Sequence, residues 1–273
     1  MFQHSQKKSQ LQAILWIAEL LYHATVREVR SSHGNAVIGL ALNIMQAMIM
    51  LAAFYVMFSV LGLRGSAIRG DFLVYLMTGI FLFQTHNKGL SSVMGSDGPN
   101  SPMMKHSPMN TVIAIGASAF GTLYTSILSM MVMMVIYHIA VTPIWMPDPI
   151  AAFGMFLLAW ASGCAIGLVL KAAKPWAPGV VGVVAMIYMR ANMIASGKMF
   201  VANTLPSTML VMFDWNPLFH TIDQARGFAF INYYPHNSDI LYPLKVTVVM
   251  LVLGMMIEFV TRRRVSIRWN AKN

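Results

Sequence analysis

About six long apolar stretches between Ala36 and Val260, separated by short polar connections, restrict this chain to the architectures that a lipid bilayer permits. Hydrocarbon offers no water to pair backbone N–H and C=O groups, so only helices and closed barrels cross it. A helix rises ~1.5 Å per residue, and a hydrocarbon core of ~30 Å therefore takes about 20 apolar residues. Stretches of that length place spans at 36–63, 72–94, 111–136, 150–170, 177–200 and 243–260. The expectation is an all-α integral membrane protein, one transmembrane domain over residues 1–273, with too little chain left over for a separate soluble domain. The chain is 57% hydrophobic and 10% charged, and its mean hydropathy is +0.62. Those values exclude an ordinary soluble domain. The 25 methionines read as flexible packing filler rather than metal ligands. Cys164 is the single cysteine and forms no internal disulfide. No secretory signal peptide is expected, because the first long apolar run begins near Ala36.

The net charge of +10 follows this topology. With the N-terminus in the cytoplasm, the inner segments hold Lys7, Lys8, Arg27, Arg30, Lys105, Lys171, Lys174, Arg262, Arg263, Arg264, Arg268 and Lys272, twelve of the nineteen basic residues. Arg64, Arg69 and Arg226 fall outside, Lys198 and Lys245 at the boundary, and Lys88 and Arg190 within spans. The bias puts both termini inside. Nucleic-acid binding is not expected, since no basic groove with aromatic platforms is visible.

Residues 10–29 differ from the spans. Leu11, Ile14, Leu15, Ala18, Leu21, Tyr22, Val26 and Val29 recur at three- and four-residue spacing, interrupted by Gln12, Glu19, His23, Arg27 and Glu28. That pattern reads as an amphipathic helix lying in the headgroup region or packed on its own protein. Asn43 and Gln46 are amides that seek partners on another helix. Gln84, His86, Asn87 and Lys88 make the second span ragged, so that it is either broken or lines a wet cavity. A breaker-rich loop follows, then a short cytoplasmic element at 103–110 that serves as a docking surface or as a tether. Ala159, Gly163 and Gly167 give the fourth span a face that allows close helix approach. Arg190, near the middle of the fifth span, must face protein or water, and reads either as a contact for an anionic substrate or as an ion pair inside the bundle. In the outer loop, Asn216 and Pro217 start a helix as N-cap and first residue. His220, Asp223 and Arg226 share one of its faces, and Gly227 ends it. It reads as a capped surface helix on the periplasmic side or a re-entrant piece before the last span.

The chemistry of several enzyme classes is missing from the sequence. Gly197-Lys198 is followed by Met199 and lacks the earlier glycine of a phosphate-cradling loop. The eight histidines show no metal-ligand spacing, and no Gly-x-Ser-x-Gly elbow occurs. Only Glu258 is an acid within a span, which disfavours a carboxylate proton relay.

The order of features resembles the membrane subunit of a type-2 ABC exporter, in particular the permeases for capsular polysaccharide or O-antigen. The likeness is carried by Arg27-Glu28-Val29-Arg30 with Gly34 and Gly39, Phe58-Ser59-Val60-Leu61-Gly62, and Pro147-Asp148-Pro149. It continues in Arg190 followed by Ser196-Gly197 and Leu205-Pro206, and is most specific in Trp215-Asn216-Pro217-Leu218-Phe219-His220 with Asp223 and Arg226. Relatives commonly have Glu where Asp223 stands, and a Pro-rich stretch where Lys105-His106-Ser107-Pro108 stands here.

The resemblance implies a homodimer in the bacterial inner membrane that moves a lipid-linked polysaccharide outward, with possible periplasmic and outer-membrane export partners. Separate ATP-binding subunits would bind ATP and magnesium, so this chain would be a transporter subunit rather than an enzyme and would bind no cofactor itself. Arg27, Arg30, Lys105, His106, Ser107 and Pro108 are the expected coupling residues. The pathway is expected at Tyr75, Phe81, Phe83, Trp160, Tyr188 and Arg190. The alternatives are an intramembrane enzyme acting on lipid-linked sugars through His220, Asp223 and Arg226, and an ABC permease for a non-glycan substrate.

Overall fold

The structure is a computed structural model that describes residues 10–31, 36–62, 68, 70–97 and 110–270. The described chain is helical: α1 (Gln10–Ser31), α2 (Ala36–Val60), α3 (Phe72–Gly95), α4 (Thr111–Ala140), α5 (Pro149–Ala173), α6 (Pro178–Ala195), α7 (Ser207–Phe213), α8 (Pro217–Ala229) and α9 (Leu241–Asn270). Five of these are long and apolar enough to cross a membrane: Val37–Val60, Thr111–Ala140, Pro149–Ala173, Pro178–Ala195 and Leu241–Thr261. The chain therefore has the character of a helical membrane protein. Helix α3 is long enough, but its polar C-terminal half keeps it out of that set.

Local chemistry starts the helices where the sequence places them. The Asp71 carboxylate accepts from Leu73 N at 2.9 Å and opens α3. Asp148 accepts from Ala151 N at 3.0 Å, with Pro149 at the first helical position of α5. Pro178 begins α6, and Gly197, at φ +76°, turns the chain out of it. The Asp71 carboxylate also receives hydrogen bonds from Tyr137 and from Thr142, the latter at 2.7 Å, tying the start of α3 to the end of α4. Burial pushes its pKa up, but the bonds from Tyr137, Thr142 and the backbone of Leu73 and Val74 outweigh burial and hold it below the usual range.

Helices α3 and α5 form the spine. They pack along their lengths, with α9 and α8 against α5, α4 and α8 against α3, and α1 along α4. The expected close-approach face is at the seam. A Cβ on Gly163 would stand 2.1 Å from the His86 carbonyl oxygen, and one on Gly167 2.5 Å from that of Leu90. Ala159 is fully buried on the same face. Helices α2, α6 and α9 leave most of their apolar surface uncovered, with only 11%, 22% and 17% of their most apolar windows buried. In a bilayer that surface meets lipid or another chain.

Three sequence expectations change. The loop assigned from Lys171 onward is still helix, as α5 runs to Ala173. Lys171 is buried there and donates to the Ser96 and Asp97 carbonyls at 3.2 and 3.0 Å, closing the C-terminal end of α3. Gly227 does not end α8, which continues to Ala229, with Phe230 as its cap. Nor is α8 a surface helix: every residue from Pro217 to Arg226 is buried.

Candidate functional site

The C-terminal half of α3 borders an open-sided cavity of about 510 Å³ lined by residues of α1, α2, α3 and α4. Ten of the twelve residues that line it are polar, although the helices around it are largely apolar. Asn43 and Gln46 come from α2, Asn87, Lys88, Ser91 and Ser92 from α3, Ser118, Thr122 and Thr125 from α4, and Glu28 from α1. The Lys88 ammonium donates to Asn43 Oδ1 at 2.8 Å. No ion pair to it is formed among the described residues. Asn87 Oδ1 is buried with no hydrogen-bond partner there. The hydroxyls are already turned to the backbone: Ser92 donates to Ser118 O at 3.0 Å, Thr122 to Ala119 O at 2.8 Å and Thr125 to Gly121 O at 3.1 Å. Ser118 Oγ donates to Glu28 Oε1 at 3.2 Å. Helix α3 is thus continuous, and its ragged segment lines a cavity, one of the two outcomes its sequence left open.

A second polar cluster surrounds α8 at the other end of α3. Asn216 caps the helix by accepting from Leu218 N at 3.0 Å, and its amide donates to Asn192 Oδ1 at 2.8 Å and Ala195 O at 3.1 Å. His220 Nε2 meets Asp214 O at 2.7 Å while Nδ1 accepts from Asp239 N at 3.0 Å, which fixes the tautomer with the proton on Nε2. The Asp223 carboxylate accepts from Tyr233 and, at 2.7 Å, from Ser238. Burial, and then the negative charge of Asp223, push the Tyr233 phenol well above its usual range. Arg226 donates to the carbonyls of Gly197, Phe200 and Lys198 at 2.8, 2.6 and 2.9 Å and lies 4.2 Å over the Tyr75 ring. The Lys198 ammonium sits 3.5 Å over Phe83 and 5.0 Å over Phe54. His220, Asp223 and Arg226 thus bind three different sets of partners.

The residues expected along a substrate pathway are dispersed. Tyr75 and Phe83 lie beneath the two cations beside α8. Phe81 lines a separate apolar cavity of about 210 Å³ with Met130, Met134, Phe153 and Phe156. Trp160 donates to Ala119 O at 3.0 Å. Tyr188 pairs with His86 Nε2 at 3.0 Å, while His86 Nδ1 lies 3.1 Å from Ala159 O. Arg190 is exposed on α6, five residues (~7.5 Å) before its end rather than at its middle. Arg27 and Arg30 are exposed on α1. Lys105, His106, Ser107 and Pro108 lie outside the described residues.

The sequence marked Asn43 with Gln46 on one span and Asn87 with Lys88 on the next, but did not bring the two pairs together. It missed the hydroxyl wall, although Ser118, Thr122 and Thr125 recur at helical spacing, a signal available in the sequence.

No protein-family profile matches the chain, and no curated protein matches it.

Proposed function

We propose that this chain is the permease subunit of an ATP-driven exporter for a lipid-linked polysaccharide, with ATP hydrolysed by a separate subunit. The observation that carries the reading is a cavity of about 510 Å³, lined mainly by polar residues and set among apolar helices. A membrane protein that only scaffolds has no reason to keep an ammonium and three amides around a space of that size. In this reading α3 is the sixth span, sheltered by α4, α5 and α8, and α1 is the interfacial helix. The membrane is the bacterial inner membrane with both termini cytoplasmic, and the permease works as a homodimer. The uncovered face of α6, where Arg190 stands among Val183, Val184, Ile187 and Ile194, supports a second copy or a polar path beside it. The residues at 103–110 and the exposed Arg27 and Arg30 would receive the ATP-binding subunit.

The test is reconstitution. The chain, purified with its ATP-binding partner, should support glycan-stimulated ATP hydrolysis, and deletion of its gene should trap the lipid-linked glycan inside the cell. Transport by this chain alone, with no ATPase, would refute the reading. The enzyme alternative is weakened by the α8 cluster, whose His220, Asp223 and Arg226 are each buried and bonded to the protein itself.

A further inference from the structure

The geometry points to the cavity among α1, α2, α3 and α4 as a phosphate-binding site for the phosphate-bearing end of a saccharide carrier, with Lys88 as the cation that meets the phosphate. This rests on the exporter reading for the identity of the carrier, but the site itself is argued from the cavity.

Lys88 is held in an unusual way for a membrane helix. A half-buried ammonium costs free energy that a carboxylate partner normally offsets. Among the described residues its one bond is to a neutral amide, Asn43 Oδ1 at 2.8 Å, which leaves two ammonium hydrogens uncommitted there. The donors beside it are of the same kind. The amide nitrogens of Asn43, Gln46 and Asn87 make no hydrogen bond among the described residues. Uncommitted N–H groups grouped about one cation suit an oxyanion that accepts several hydrogen bonds at once.

The opposite wall has the complementary character. On α4, Thr122 and Thr125 have donated their hydrogens to backbone carbonyls, which leaves their oxygens as acceptors, and the Glu28 carboxylate of α1 accepts from Ser118 on the same side. Acceptors of that kind repel phosphate and receive sugar hydroxyls. A ligand with phosphate at one end and hydroxyls beyond it matches both walls, and a neutral lipid or a purely apolar molecule matches neither. The volume falls within the ~300–1,000 Å³ range of small-molecule sites.

The experiment uses the full chain in nanodiscs, with Ser91→Cys as a reporter on the cavity wall and Cys164→Ala to remove the native thiol. The probes are farnesyl diphosphate and inorganic diphosphate, and the readout is the rate of thiol labelling. Farnesyl diphosphate should slow labelling at least tenfold. Lys88→Met should abolish the protection and Lys88→Arg restore it. Protection by inorganic diphosphate as well supports a site that reads phosphate alone, and protection by farnesyl diphosphate only supports one that also reads the lipid. Absence of protection with both probes, or protection undiminished in Lys88→Met, overturns the proposal. Should Lys88→Met not elute as folded protein, Asn43→Ala takes its place: a loss of protection of at least threefold supports the site and undiminished protection overturns it. Protection in a chain that also transports with no ATPase present would leave the site standing and sink the exporter reading. A coupled ATPase without protection would do the reverse.

Discussion

Two polar regions lie along α3, one around Arg226 near Gly79 and one around Lys88, separated by roughly 14 Å of helix. Both put a cation and amides among apolar helices, and they solve the burial problem in opposite ways. The α8 region is closed: the Arg226 guanidinium serves three carbonyls, Asp223 two hydroxyls and His220 both its nitrogens. The Lys88 region is open, with one neutral partner, uncommitted amides and a cavity. A closed network stabilises the fold that contains it, whereas an open one retains its capacity for something that arrives. Substitutions in the two regions should therefore differ in what they damage.

The largest expected effect reaches both regions at once. Gly163→Val would drive a side chain into the His86 carbonyl, already 2.1 Å from an ideal Cβ, and backbone there cannot swing aside as a flexible side chain could. Overpacking of this kind costs ~1–3 kcal/mol or more, and here it separates the two helices on which everything else packs. The variant should fail to give a monodisperse peak in fluorescence-detected size exclusion. A normal elution and melting profile would mean that α3 and α5 do not form the spine described here.

Next is Arg226→Met, which leaves the Lys198 and Phe200 carbonyls without donors and that of Gly197 with only the Phe200 N–H at 3.4 Å. Each buried unsatisfied group costs ~1–3 kcal/mol, so a loss of about 3 kcal/mol or more is expected, read as a large drop in melting temperature in detergent. If instead the melting temperature holds and only transport falls, the α8 region is not closed and the contrast between the regions fails.

A smaller effect is expected at Tyr233→Phe, which removes one donor to Asp223 and should cost ~1–2 kcal/mol near neutral pH. The pH dependence has a definite sign. The folded-state phenol titrates above its ordinary value near 10 because burial, then the Asp223 charge, oppose ionisation. Its stabilisation is present in full below pH ~10 and is lost as pH rises above that value, where the unfolded chain releases the proton first. The melting gap between wild type and Tyr233→Phe should accordingly narrow between pH 9 and 11. A constant gap would show that Tyr233 is not held in this environment.

The outline of the fold was legible because its signals are local. Apolar length marked the five candidate spans, and Asn216-Pro217 marked the start of α8 through capping chemistry that needs no tertiary partner. The α3–α5 seam was legible from Ala159, Gly163 and Gly167, since small residues at four-residue spacing permit close approach whatever the neighbour is. What local chemistry could not convey was which polar residues end up covered. Helix α8 reads as a surface helix by composition, and what buries its polar face is distant in sequence: the 197–200 turn and Tyr75 over Arg226, and Tyr233, Ser238 and Asp239 over Asp223 and His220. Gly227 looked like a helix end by residue type, yet it carries no positive φ, and a Cβ there would meet Pro235 at 2.8 Å. The cavity draws its lining from four helices, so no window of sequence contains it.

The smallest expected change in stability is at Lys88→Met, and it sharpens the comparison most. The substitution keeps the length of the side chain and removes an ammonium whose one hydrogen bond among the described residues is to a neutral amide. Replacing a poorly compensated buried charge by an apolar group of similar volume is often neutral or stabilising. The melting temperature should therefore stay within the change that ~0.5 kcal/mol produces, or rise. The paired measurement with Arg226→Met is the decisive one, because each removes one cation packed along α3 and replaces it with the same side chain. If the fold is indifferent to Lys88 and depends on Arg226, the energetic cost of keeping Lys88 charged inside the bundle has no structural return, and its return must lie in what the cavity binds. If Lys88→Met destabilises as much as Arg226→Met does, the cavity is a second structural network, and the distinction between a closed and an open region disappears.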